Sequence, residues 1–139
     1  MKISLEQYLK RLSSDLRFPE LYSVVAPKQF KLHIPDIEPI EIFETDEAIQ
    51  FITNVGKLID GLDEEKVYSY LMQANYLGQG TGKSAIGIHP NDKFITLSYL
   101  LLFDVDYAYF KERIEEMVNY IDYLIGHLKE KIPTFLKES

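Results

Sequence analysis

Phe30-Lys31-Leu32-His33-Ile34, closed by Pro35-Asp36, is followed by Ile40-Glu41-Ile42 and then by Ile49-Gln50-Phe51-Ile52-Thr53-Asn54-Val55. In the first run Phe30, Leu32 and Ile34 alternate with Lys31 and His33. In the third, Ile49, Phe51, Thr53 and Val55 share one side. A period of two places alternate side chains on opposite faces of a strand, so each run reads as a strand with one apolar face. The connections are short and polar, and Pro35-Asp36 is a turn signal. Strands that follow one another in this way predict an antiparallel meander rather than a parallel sheet.

Working outward, the period changes. Upstream, from Ile3 to Arg17, Leu5, Leu9, Leu12 and Leu16 recur at helical spacing, with Ser4 as a candidate N-cap and Pro19 as the stop. Downstream, Asp60-Gly61 punctuates the chain, and Asp63-Glu64-Glu65 places negative charge where a helix N-terminus favours it. The helix expected from about Asp63 to Tyr76 carries Val67, Leu71 and Ala74 on one face and Tyr68, Met72 and Tyr76 on a second. A helix apolar on two sides needs two partners, its own sheet and either a second protomer or a bound chain; central burial within one protomer is the alternative. Gly78 to Gly82 reads as a loop, after which Ser84–His89 and Lys93–Phe103 read as strands joined by Pro90-Asn91-Asp92. Asp106 then caps a helix with Phe110, Ile114, Met117, Ile121, Leu124 and Leu128 on one stripe, ending near Pro133. At about 1.5 Å per residue such a helix is on the order of 37 Å long, enough to cross a sheet. The predicted fold is one α+β domain over residues 1–139, in the order helix, three strands, helix, two strands, helix, with an antiparallel twisted sheet packed against helices.

The composition narrows the function. With 139 residues, 46% of them hydrophobic, the chain has the apolar content of a folded domain. Twenty-two acidic residues against 15 basic give a formal charge of −7, and the lysines and arginines form no stripe. Nucleic-acid binding, which requires cations to displace counterions from phosphates, is disfavoured. No uncharged apolar run approaches the ~18 residues of a membrane span, and the N-terminus lacks the apolar core of a Sec-type signal. Cysteine is absent, which excludes disulfide staples and thiolate chemistry.

Chemical motifs are sparse. Gly78-Gln79-Gly80-Thr81-Gly82-Lys83-Ser84 resembles a phosphate loop, yet Leu77 stands where a Walker A loop needs glycine. The loop also follows a helix and enters a strand, the reverse of the strand-to-helix order that aims a helix N-terminus at phosphate. His33, His89 and His127 lie on different elements without metal-ligand spacing. No nucleophile, base and oxyanion set is signalled, so the expectation is a binding protein without catalytic residues, metal or cofactor. Ten tyrosines, four of them at 107, 109, 120 and 123 on the last helix, suit either a binding surface or the edge of a core.

Leu71-Met72-Gln73-Ala74-Asn75-Tyr76-Leu77, then Gly80-Thr81-Gly82, Ala85-Ile86-Gly87-Ile88 and Ile95-Thr96-Leu97, resemble the signature of the class I type III secretion chaperones. That signature is a helix ending in an "LLxAN-L" pattern, a small glycine-rich loop, an "lGl" strand and a strand with alternating leucines. The resemblance covers essentially the whole chain. It implies a dimer in the bacterial cytoplasm, homodimeric or paired with a second small chaperone. Such a dimer holds the N-terminal region of a secreted effector or secretion regulator extended, soluble and competent for export. Apolar surface on the first helix and first strands (Leu5, Leu9, Leu12, Phe30, Leu32, Ile42) is the expected effector-binding region. Tyr68, Leu71, Met72, Asn75, Ile86 and Ile88 are the expected dimer interface. The rival reading is a regulatory interaction domain of the same fold, for example one that binds transcription machinery.

Overall fold

The computed structural model describes residues 4–78, 84–89, 91–102 and 105–137, with the side chains of residues 75–78 outside that description. The glycine-rich loop with Lys83 and the turn at Pro90 lie outside the described residues. Helix α1 spans Leu5–Asp15. Ser4 caps it as the sequence predicts: its Oγ accepts from the Gln7 backbone N–H at 3.3 Å, while the Gln7 side chain accepts from the Ser4 N–H at 3.1 Å. This reciprocal box satisfies two of the donors that a helix start leaves unpaired. Leu5, Leu9 and Leu12 point into the core, whereas Leu16 becomes the exposed C-cap.

Four strands follow, β1 (Tyr22–Ala26), β2 (Gln29–Leu32), β3 (Ile40–Glu44) and β4 (Ala48–Lys57), then α2 (Glu64–Gly78), β5 (Ser84–Ile88), β6 (Phe94–Leu102) and α3 (Tyr107–Lys131). A 3-10 turn, Ile132–Phe135, contains Pro133 and follows α3 directly. The sheet is six-stranded in the order β1-β2-β3-β4-β6-β5, and every pairing is antiparallel. The meander is therefore present and one strand longer than the alternation predicts. β1 escapes a period-two reading because Ser23, Val24 and Val25 are all exposed; an edge strand with no alternation of burial leaves no alternation of sequence. Lys28 adopts a left-handed backbone (φ 62°) and with Pro27 turns β1 into β2.

Register explains which face is apolar. Phe30 pairs with Ile42, Ile42 with Phe51, and Phe51 with Tyr99, so one row of large side chains crosses four strands on the helix-covered face. The neighbouring row runs Lys31, Glu41, Ile52, Ser98 and Ala85, on the opposite face. α3 lays Phe110, Ile114, Met117, Ile121, Leu124 and Leu128 into the core, the stripe expected from its spacing. Asp106 caps it, accepting from the Tyr109 N–H at 2.8 Å.

Polar contacts fix the helices over the sheet. The Tyr8 hydroxyl donates to the Val105 carbonyl at 2.7 Å, and the Tyr107 hydroxyl donates to Asp15 at 2.6 Å, with Arg11 4.0 Å above the Tyr107 ring. α1 is thereby clamped to the start of α3. At the other side of the molecule, Asp63 caps α2 by accepting from the Glu65 and Lys66 N–H groups. The Asp63 N–H donates to the Phe135 carbonyl at 2.6 Å and the Lys137 N–H to the Gly61 carbonyl at 2.7 Å, so the chain's C-terminal segment is stitched to the start of α2.

Candidate partner-binding surface

β1 terminates the sheet, with β2 on one side and no strand on the other among the described residues. Val24 and Val25 on it are 58% and 55% exposed. Natural proteins usually blunt a free edge with charge, proline or a bulge. Here a register shift lies between Val24 and Ala26, but the strand itself carries neither charge nor proline. The strand is firmly seated from within the protein. The Tyr22 ring packs edge-on to Phe30 and its hydroxyl reaches Glu6 on α1 at 3.5 Å, while Ser23 Oγ lies 2.9 Å from His33 Nε2. Burial and the neighbouring Glu6 carboxylate raise the Tyr22 pKa. The result is a seated edge strand whose outer backbone meets no other strand among the described residues and whose Val24 and Val25 side chains face water. Chemically, such an edge accepts an extended polypeptide by strand addition.

The far edge, β5, is built differently. α2 packs on it, and Ile86 of β5 is buried in the same core as Val67 and Leu71 of α2, with Ile88 partly buried against that core. The outward face of α2 carries Tyr68 and Met72, 49% and 71% exposed. Of the six residues expected at a dimer interface, these two are free to meet a partner. Leu71 and Ile86 are instead buried within the protomer, because the first apolar face of α2 is used on its own sheet. The Asn75 side chain lies outside the described residues.

The structure places the six residues expected to touch cargo inside the single chain. Leu5, Leu9, Leu12, Phe30, Leu32 and Ile42 are 0 to 6% exposed and form the core between α1 and the β1-to-β3 half of the sheet. Amphipathic spacing tells which side of an element is apolar but not what covers it, and here it is the protein's own helix and sheet that do so. The exposed residues missed by the alternation are Val24 and Val25. Two adjacent β-branched residues just before Pro27-Lys28 were the available signal.

Among the described residues no side-chain geometry assembles a reaction centre. His33 pairs with Ser23; His89 Nδ1 accepts from the Asn91 and Asp92 backbone and lies 3.6 Å from the Asp92 carboxylate; His127 stacks between Tyr70 and Tyr123. No group of three His, Asp or Glu side chains converges as a metal site among those residues. The perturbed groups are mainly phenols. Burial, then the hydrogen bond to Asp15, pushes Tyr107 up to about 12; burial, then the nearby tyrosines, raises Tyr70 and Tyr120. These are groups held neutral by packing, not poised near neutral pH for proton transfer. No helix among the described residues is long and apolar enough to cross a membrane.

The sequence matches no protein-family model and no curated protein. Its fold, however, matches solved structures over nearly all of its length. A chain in the HopA1–SchA chaperone–effector complex superposes with a TM-score of 0.67 at 9% identity, covering 87% of this chain and 92% of that one. A chain in the heterodimeric ExoU–SpcU complex from the type III secretion system of Pseudomonas aeruginosa gives 0.63 at 12% identity, covering 88% and 96%. A chain in the ExsC–ExsE complex gives 0.69 at 11% identity, covering 100% of both. At such identities it is the α+β architecture that is shared, the six-stranded antiparallel sheet with its helices.

Proposed function

We infer that this chain is a type III secretion chaperone. In this reading it acts as a dimer in the bacterial cytoplasm and binds the N-terminal region of a secreted effector or secretion regulator in extended form. The observation that carries the reading is the β1 edge, at the end of a sheet of this architecture. It is an ordered strand with exposed Val24 and Val25 and no covering element among the described residues. The whole-length likeness to chains from chaperone–effector and related complexes supports it. Strand addition supplies backbone hydrogen bonds irrespective of sequence, and side-chain pockets beside the edge supply selectivity. A client held this way remains unfolded, because its backbone is paired with the chaperone and not with itself. The negative surface keeps the complex soluble. Tyr68 and Met72 on α2 are the dimer contacts in this reading, whether the partner is a second copy or another small chaperone.

Copurification decides the matter. The tagged full-length chain, expressed in its native host, is expected to retain a secreted protein whose N-terminal segment is protease-sensitive when free and protected in the complex. A chain that stays monomeric and retains no secreted protein would sink the proposal. Retention of polymerase or sigma-factor subunits without export cargo would instead identify a regulatory interaction domain.

A further inference from the structure

A cleft of about 520 Å³ opens where the β2–β3 connection passes the end of β4. Its walls are mainly apolar, formed by Ile37 and Pro39 from the connection, Val55 from β4, Phe94 from β6 and Ile125 from α3, with Asn54 of β4 also lining it. Its rim is acidic, with Asp36 and Glu38 both exposed. Neither carboxylate has an ion-pair partner among the described residues. The one cation at the described rim, Lys57, lies 5.4 Å over the Phe94 ring.

The cleft is preformed. Thr53 is a buried polar residue at 4% exposure, and its hydroxyl points at the Glu38 and Pro39 carbonyls at 3.4 and 3.3 Å. A buried hydroxyl must keep such a partner, and by doing so it holds the connection against β4. Asp36 takes a left-handed backbone, φ 70°, which turns the chain beside the opening. At the floor, Gly56 sits at the β4 register shift, where a Cβ would lie 3.5 Å from Leu128 of α3.

We propose that this cleft binds an aliphatic side chain followed directly by lysine or arginine, within the same extended segment that adds to β1. The walls take the aliphatic group, and Asp36 and Glu38 take the cation. Charge complementarity argues for this occupant: two carboxylates without ion-pair partners among the described residues, on a chain of formal charge −7, favour a basic residue over an acidic one. The sheet's register puts the cleft within reach. Tyr22 of β1 pairs with Leu32 and Leu32 with Ile40, so the Tyr22 end of β1 lies at the cleft's end of the sheet. Three strand spacings of about 4.8 Å separate β1 from β4, a gap that about four or five extended residues span. The proposal rests on the secretion-chaperone reading for its occupant and adds a local sequence requirement to it.

The test uses the isotopically labelled full chain and two synthetic peptides, acetyl-Ser-Leu-Lys-Ser-amide and acetyl-Ser-Leu-Glu-Ser-amide, titrated by NMR. The Leu-Lys peptide is expected to shift the amides of Ile37, Val55, Gly56 and Phe94 and to bind about fivefold tighter than the Leu-Glu peptide, a preference that weakens in high salt. In a D36N/E38Q double variant the preference falls below about twofold; Asn tolerates the left-handed backbone at position 36, so the loop is kept. I125F, which fills the cleft, abolishes the shifts while its own spectrum reports that it is folded. Equal binding of the two peptides, or shifts lying elsewhere on the protein, overturns the proposal. If the peptides fail yet the chain still copurifies with a secreted protein, the cleft assignment alone is wrong. If they behave as expected and no secreted protein is captured, the cleft stands and the secretion reading falls.

Discussion

The two edges of the sheet are alike in backbone and unlike in cover. Both β1 and β5 have one strand neighbour among the described residues. α2 packs on β5, with Val67, Leu71 and Ile86 buried in one core, and its outward side offers Tyr68 and Met72. β1 has no such helix among the described residues: Val24 and Val25 stay exposed, while Phe30 and Leu32 share the buried core with Leu5, Leu9 and Leu12 of α1. A sheet edge is thus converted into a helix surface at one end and left as backbone at the other. Helix surfaces suit folded, shape-matched partners, whereas an open backbone edge suits an extended one. In the proposed function, the difference gives protomer pairing to the α2 side and client capture to the β1 side.

Four variants would break or sharpen that contrast. Leu71→Asp places a carboxylate between α2 and β5 with no partner and is expected to cost at least about 3 kcal/mol in urea unfolding. If stability is unchanged, α2 does not cover β5 as described. V24K/V25K puts positive charge on the open edge. It is expected to weaken client capture at least about tenfold in a pull-down titration while shifting unfolding by less than about 0.5 kcal/mol. Undiminished capture would move the client elsewhere.

Tyr107→Phe removes the bond to Asp15 that clamps α1, at a cost of about 1 kcal/mol near neutral pH. Its pH dependence has a definite sign. Tyr107 in the folded protein holds its proton up to about 12, whereas an unfolded tyrosine loses it near its ordinary value of 10. The folded state binds more protons in that window, so the stabilisation is complete below about pH 10 and is lost as pH rises towards about 12. Denaturation curves between about pH 9 and 12 should fall less steeply for the variant. The smallest effect is expected of Met72→Ser, which leaves protomer stability within about 0.5 kcal/mol and raises the dimer dissociation constant about threefold by analytical ultracentrifugation.

Much of the architecture was legible because core patterning is local and periodic. The stripe from Phe110 to Leu128, the Ser4 and Asp106 caps and the row Ile49, Phe51, Thr53, Val55 are each decided by residues within a few turns or strand steps of one another. β1 was not legible, since an edge strand exposed on both faces has no reason to alternate, and Val24-Val25 carries only propensity. The cleft was not legible either. Its walls come from a loop, two strands and a helix that are far apart along the chain, and the Thr53 bond that shapes it joins β4 to a connection before β3.

The sequence by itself thus determined the α+β class, the antiparallel sheet, the approximate helix boundaries and the identity of the apolar residues. Tertiary structure alone decided what those residues face. Leu5, Leu9, Leu12, Phe30, Leu32 and Ile42 have the composition of a binding surface and became core, while Val24 and Val25 have that of an ordinary strand and became surface. The physical reason is that hydrophobicity measures the gain from leaving water and not the partner that provides the cover. Which apolar side chain finds cover within the chain, and which must wait for another polypeptide, is settled only when helices and strands have claimed their places over the sheet.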